Sequence, residues 1–292
     1  MTMLPSHKVQ VTYLEFTRVV KADEKVSYLR ENKGIEQTFS LPYANMAVLL
    51  LGPGTSITQS AMHHLTSEGC LVGFTGGSGF PIFCGSLSEY RPSEYAKRWI
   101  LAWQAPAWQL QVARHFQAVR VRVVNQQWPK YGLSDATLAT AASAGEELLL
   151  RQGKAWDKDT LLGIEAVYAK RLYQALAKEY GVEFTREPRR KTDPVNDLID
   201  AHNYYAYGLA GTALWVLAIP YAFSVLHGET RRGALVFDVA DMLKDGILLP
   251  LAFQSAIAGR DKSAHKKVCA EYLQLGKGLA LLFDELKAVL ER

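Results

Sequence analysis

The sequence predicts an α+β fold: a small N-terminal β-sheet domain with one helix over residues 1–86, and a larger all-α domain over residues 94–292. Three observations predict it. Before residue 87 the apolar residues alternate or cluster in short runs bounded by glycine and proline, as in strands. From Glu94 onward they recur at helical spacing. A chain of 292 residues is long enough to give each part its own core.

The elements follow in order. Val9, Val11 and Tyr13 alternate and continue into Glu15-Phe16-Thr17. Val26 and Tyr28 alternate again, as do Thr38 and Ser40 around Phe39 and Leu41. The unbroken apolar run Met46–Leu51 reads as a strand, closed by Gly52-Pro53-Gly54. A short helix capped by Thr58 or Ser56 should end near Gly69. Leu71–Phe74 is a buried strand, Gly76-Gly77-Ser78-Gly79 a turn, and Pro81–Cys84 an edge strand. Leu51–Ser56 has the look of a phosphate loop but lacks both the Lys-Ser/Thr pair and the third glycine, so it reads as a plain turn. The linker falls in Gly85–Ser93, with 87–93 joining the two domains.

In the helical part, Trp99, Trp103 and Trp108 gather with Leu101 and Leu110 around Pro106. Val112, Phe116, Val119 and Val123 form a stripe, with Arg114, Arg120 and Arg122 expected on solvated faces. Further helices are expected over about Leu161–Tyr180, Pro194–Leu217, Leu235–Ala258 and Ser263–Leu290, the first ending at Gly181. A polar, proline-containing loop spans Glu183–Thr192.

Composition narrows the function. Hydrophobic residues make up 49% and charged residues 21%, which is globular rather than disordered. A net charge of +4 excludes a histone-like protein. Residues 1–90 carry six Lys/Arg against seven Asp/Glu and the remainder 27 against 22, so a polyanion surface belongs to the C-terminal two-thirds. Three cysteines without a C-x-x-C argue against a disulfide framework or zinc ribbon and for a reduced, cytoplasmic setting. The N-terminus lacks the apolar core of a signal peptide. Asn203–Leu226 carries no charge and is long enough for a membrane span. Pro220 breaks it, however, and no second span accompanies it, so it reads as a buried helix.

The chemistry concentrates in His227–Asp241, which holds an imidazole, Arg231 and Arg232, and the carboxylates Asp238 and Asp241 three residues apart on one helix face. Glu165 lies mid-helix among apolar neighbours and, taken alone, reads as a partner of Lys170 or Arg171. Asn196 in Asp193-Pro194-Val195-Asn196 reads as part of a helix start. Together, a glutamate on one helix, a histidine at a helix end and an aspartate on a third helix can converge on Mg²⁺ or Mn²⁺.

Three elements in this order, Ile164-Glu165-Ala-x3-Lys170-Arg171, Asp193-Pro-Val-Asn196 and His227-Gly-x2-Arg231-x6-Asp238-x2-Asp241, resemble the CRISPR-associated integrase family (Cas one, the adaptation endonuclease/integrase). The segments Asn45–Phe74, Glu89-Tyr-Arg-Pro-x-Glu-Tyr and Gly233–Asp245 resemble its type I-F branch, and the likeness covers nearly the whole chain. The resemblance implies a homodimer with a β-rich dimerisation domain and a helical catalytic domain. It implies metal-dependent insertion of short DNA fragments into a CRISPR array by 3′-OH attack on a phosphodiester. Its metal ligands and catalytic residues fall on Glu165, His227 and Asp241, with Asp238 an auxiliary acidic residue and Mg²⁺ or Mn²⁺ the cofactor. Lys170, Arg171, Arg186, Arg189, Arg190, Lys191, Asn196, Arg231 and Arg232 are DNA-binding candidates. Expected partners are double-stranded DNA (prespacer and repeat), a second copy of the chain, a Cas-two/Cas-three fusion protein and integration host factor, and no membrane. A stand-alone nuclease on branched DNA would use the same ligands; a non-catalytic DNA-binding scaffold would need none of them.

Overall fold

The computed structural model describes residues 10–22, 25–32, 35–76, 82–85, 94–186, 193–228, 233–275 and 277–291. The linker expected at 87–93 lies outside them. In the N-terminal part the described elements are β1 (Gln10–Leu14), β2 (Arg18–Ala22), β3 (Lys25–Asn32), β4 (Ile35–Ser40), β5 (Met46–Leu51), β6 (Ser56–Ile57), α1 (Gln59–Ser67), β7 (Leu71–Thr75) and β8 (Ile82–Gly85). Where the sequence suggests one small sheet, the strands divide into two, ordered β1-β5-β7-β8 and β4-β3-β2-β6. In the first, β5 lies parallel to both neighbours, with Val48 opposite Val11 and Leu71. A parallel strand is covered on both faces, which is why Met46–Leu51 is apolar throughout rather than alternating.

The two faces of β5 feed different cores. Leu49 and Leu51 pack with Leu14, Val19, Val26 and α1. Val48 and Leu50 join the large core of the helical part. The helix α1 starts at Thr58, whose hydroxyl accepts from Ala61 N at 3.3 Å, and Gly69 follows it at φ +73°.

The helical part comprises α2 (Glu94–Trp103), α3 (Pro106–Gln127), α4 (Asp135–Gln152), α5 (Lys158–Glu179), α6 (Pro194–Val216), α7 (Ala234–Leu243), a π-helical turn (Lys244–Leu248), α8 (Leu249–Ile257), α9 (Lys262–Leu275) and α10 (Gly278–Ala288). Side chains of Ser134, Asp157 and Asp193 cap α4, α5 and α6, and Pro106 and Pro194 open α3 and α6. The uncharged segment is core: Ala206, Ala210, Ala213 and Leu214 are fully buried on α6. This helix ends in a Schellman motif, with Ile219 N bonding Leu214 O and Ala218 N bonding Trp215 O around a left-handed Ala218, and Pro220 then bars its return. Among the described residues no helix is long and apolar enough to cross a membrane.

The helix expected over Leu235–Ala258 is interrupted by the π turn. There Leu249 N bonds Lys244 O, five residues back. Carbonyls in this turn find partners on the chain that follows α3: Trp128 Nε1 donates to Asp245 O at 2.8 Å and Tyr131 Oη to Ile247 O at 2.7 Å. Gly246 lets α3 come this close, since a Cβ there would sit 2.8 Å from the Val123 carbonyl carbon and 2.9 Å from Val124 N.

Candidate metal centre

Three elements carry the site. In α5 the buried stripe Leu161, Ile164, Tyr168 and Leu172 packs inward, and Glu165 sits at its margin, partly buried. His227 lies in the irregular segment between α6 and α7. Asp241 is on α7, 5% exposed. Each of Glu165, His227 and Asp241 offers a ligand atom, and these atoms lie within 4.8 Å of one another.

The segment before His227 has little regular structure, so its polar groups need outside partners. Trp99 Nε1 donates to Phe223 O at 3.0 Å and Trp103 Nε1 to Ser224 O at 2.7 Å. Asp238 takes the donors: its Oδ2 accepts from Val225 N at 2.7 Å and Leu226 N at 3.2 Å, and its Oδ1 from His227 N at 2.9 Å. The same Oδ1 lies 2.6 Å from His227 Nδ1. Asp238 thus holds the turn and the imidazole together, and the other ring nitrogen, Nε2, faces Asp241 Oδ2 at 3.9 Å. A carboxylate behind a histidine in this manner is the usual outer support of a metal ligand.

Sequence reasoning placed Arg120 on a solvated face; the structure corrects this. It is 2% exposed, with Nη1 at 2.6 Å from Glu165 Oε1 and Nε at 2.5 Å from Asp245 Oδ2, and its guanidinium lies over the Tyr168 ring. Its own helix held the signal, because Phe116, Val123 and Val124 lie three or four residues away on the same buried face. Arg122 is exposed as expected and pairs with Glu285, while partly buried Arg114 donates to Ala155 O. Lys244, likewise not singled out, pairs with Asp241 one turn along the helix.

Burial alone would keep His227 neutral, but the hydrogen bond its ring donates to Asp238 and the fields of Asp241, Asp238 and Glu165 raise its pKa above 6.5. Burial would raise Asp241, and Lys244, His227 and Arg120 together hold it below 3.8. Arg120 pairs with Glu165 and Asp245, Lys244 with Asp241, and Asp238 with His227, so four carboxylates stand with two fixed cations. With a neutral imidazole two negative charges remain, which suits a divalent ion, and the oxygen–nitrogen–oxygen donor set is one that Mn²⁺ or Mg²⁺ accepts.

The other candidates lie elsewhere. Asn196 is fully buried: its Nδ2 donates to Thr185 O at 2.8 Å and Asp193 Oδ2 at 2.6 Å, and Arg186 Nη1 donates to its Oδ1 at 2.7 Å. Its side chain locks the start of α6, and in this conformation no surface of it remains for DNA. Arg186 also pairs with Asp200 at 2.5 Å. Arg171 pairs with Glu147 on α4 at 2.7 Å rather than with Glu165, and Lys170 is exposed. Arg189, Arg190, Lys191, Arg231 and Arg232 lie outside the described residues.

Asp238→Asn is expected to leave DNA affinity unchanged. The metal concentration needed for half-maximal activity should rise about 10–100-fold, the usual cost of losing an outer support. A metal titration of activity against a DNA-binding isotherm checks it.

A family model described as CRISPR associated protein Cas1 matches residues 14–268. The chain is 40% identical to the CRISPR-associated endonuclease Cas1 of Pseudomonas aeruginosa, covering all of this chain and 95% of that one. It is 37% identical to that of Pectobacterium atrosepticum, covering 99% and 94%. Among solved structures, TtCas1 superposes with a TM-score of 0.69 at 24% identity over 97% of this chain and 98% of that one, and a TtCas1–DNA complex with 0.65, also at 24%, over 97% of each. The family match spans most of the chain, and both sequence relatives align almost end to end: the chain belongs to the CRISPR-associated Cas1 family.

Proposed function

We propose that this chain is a metal-dependent DNA integrase and endonuclease of CRISPR adaptation, which joins short foreign DNA fragments to a CRISPR array. The observation that carries the reading is the meeting of Glu165, His227 and Asp241 from three separate elements within 4.8 Å. The family supports it, since its relatives bear the name endonuclease and one structural neighbour was solved with DNA.

In this reading Glu165, His227 and Asp241 hold Mg²⁺ or Mn²⁺. Bound there, such an ion would supply Lewis acidity toward a scissile phosphate. The protein's own groups do the positioning. Asp238 fixes the imidazole so that Nε2 faces the ligand cluster, and Arg120 holds the Glu165 carboxylate. The fragment's 3′-OH attacks a phosphodiester at the repeat boundary and an array 3′-OH leaves, so one P–O bond forms as another breaks and no energy source is consumed. The inserted sequences vary, so binding should rest on backbone contacts and weaken steeply with salt. Lys170, Arg171 and the basic segments near 186–191 and 231–232 are the proposed contributors. A homodimer working with a Cas-two/Cas-three fusion protein and integration host factor in the cytoplasm completes the proposal.

The test is joining of a labelled prespacer to a plasmid-borne array by the purified protein with its partner. Mg²⁺ or Mn²⁺ should support it, and excess chelator or 3′-dideoxy ends should stop it. Joining that persists with dideoxy ends or in chelator would refute the mechanism. Cutting of branched DNA without any joining would favour the stand-alone nuclease.

A further inference from the structure

We propose that His202, His265 and Cys269 form a second metal centre, distinct from the Glu165 site, which binds a borderline-soft transition ion of the Zn²⁺ class and staples α6 to α9. His265 and Cys269 are four residues apart on α9 and so share a face. The Cys269 sulfur lies 3.4 Å from His265 Nε2. His202 reaches across from α6, with its ring centroid 5.7 Å from that of His265, and one donor atom from each residue lies within 4.8 Å of the others. With Zn–N near 2.0–2.1 Å and Zn–S near 2.3 Å, tetrahedral ligation puts nitrogen and sulfur about 3.6 Å apart. The His265–Cys269 pair is already at that separation, and His202 needs to close by about 1.5 Å at most.

The surroundings are built for ligation. Ser255 Oγ lies 3.0 Å from His265 Nδ1 and steadies the ring, and the sulfur lies beside that ring, 3.4 Å from Nε2 and 3.8 Å from Nδ1, so a turn of the imidazole would bring Nε2 onto a shared ion. All three side chains are buried, and among the described residues His202 Nδ1 has no hydrogen-bond partner, a costly state for a buried ring nitrogen. Burial, with the neighbouring His265 ring and the cations Lys244 and Arg186, holds His202 neutral, its pKa well below the ordinary range. Burial, with Arg260 and against a hydrogen bond to the Leu198 backbone, brings His265 down to about 4, so both imidazoles are neutral at neutral pH. Burial pushes the Cys269 thiol up to about 12, so an entering ion must displace its proton to solvent. Two imidazoles and a thiolate select Zn²⁺ or its neighbours, whereas the oxygen-rich Glu165 site suits Mg²⁺ or Mn²⁺.

The experiment is a Co²⁺ titration of the full-length protein after chelator treatment, alongside native mass spectrometry. The expected result is a thiolate-to-cobalt charge-transfer band that saturates at one equivalent, beyond any cobalt held at the Glu165 site. That band should survive Asp241→Ala and Cys70→Ala and be lost in Cys269→Ser, and Zn²⁺ should compete it away. A folded wild-type protein that gives no such band overturns the proposal, as does a band that persists in Cys269→Ser. If Cys269→Ser does not fold, loss of the band on alkylating the thiols of the metal-free wild type, and its protection by prior Zn²⁺, replaces that arm; alkylation without effect on the band counts against the site.

Discussion

Replacing Asp241 by asparagine is expected to lower prespacer joining by about 10²–10³-fold, the scale on which loss of one preorganised charge-stabilising group slows a reaction. The side chain keeps its shape, so folding and DNA affinity should stay close to wild type. Asp241 is buried beside Lys244 and His227, and the substitution removes one of the two proposed acidic ligands while leaving Lys244 in place. The remaining glutamate and imidazole would hold a divalent ion poorly. Asp241→Ala should show the same loss of joining with a larger drop in melting temperature, because Lys244 then loses its partner without an isosteric replacement. Single-turnover joining, measured with a DNA-binding isotherm, separates the two effects. Near-normal joining by the asparagine variant would remove Asp241 from the proposed ligand set.

Arg120→Met should be the most destabilising single change near the site. Arg120 stays charged despite burial, which opposes its charge, because Asp245, Glu165 and Asp241 together outweigh that cost. Removing the cation strands two carboxylates in the interior, a loss of about 3–5 kcal/mol. At roughly 2–4 °C per kcal/mol for a chain of this size or somewhat smaller, the melting temperature should fall by roughly 6–20 °C. Divalent metal should recover part of that fall by supplying positive charge to Glu165. Thermal unfolding with and without Mn²⁺ checks both statements. An unchanged melting temperature would show that the pair of contacts at 2.5–2.6 Å contributes no net stability. Arg120→Lys is expected to rescue only partly, since one ammonium cannot bridge both carboxylates as the guanidinium fork does.

Strong local signals were legible in the sequence. The unbroken apolar run of β5, the cap at Thr58, the start of α6 at Asp193–Asn196 (though the capping side chain is Asp193, not Asn196) and the end of α6 before Pro220 each follow from a few neighbouring residues. The helix α4 was passed over because Asp135–Gln152 is rich in alanine, serine and threonine and shows little apolar stripe. The division of the strands between two sheets rests on long-range pairing, such as β1 with β5, which no local pattern encodes. Of the metal centre, His227, Asp238 and Asp241 stand close in the chain and Glu165 came through the family resemblance. Arg120 was misplaced because charge was weighed above helical phase. The proposed His202, His265 and Cys269 group was not seen at all, since His202 comes from a different helix and only packing makes it a neighbour.

The π turn at Lys244–Leu248 sets a phase. Each residue of a regular helix turns the chain by about 100°. One surplus residue therefore rotates everything after it by that amount relative to everything before. Asp238, Asp241 and Lys244 are registered to the site, while α8 is registered to α6 and α9. The two registers differ, and the wide turn is where the difference is absorbed. Shortening the chain by a residue there would make a more regular helix and a worse protein, because either the carboxylates or the α8 face would turn away from its neighbours. Insertions and deletions that a surface loop tolerates should be excluded from these five residues.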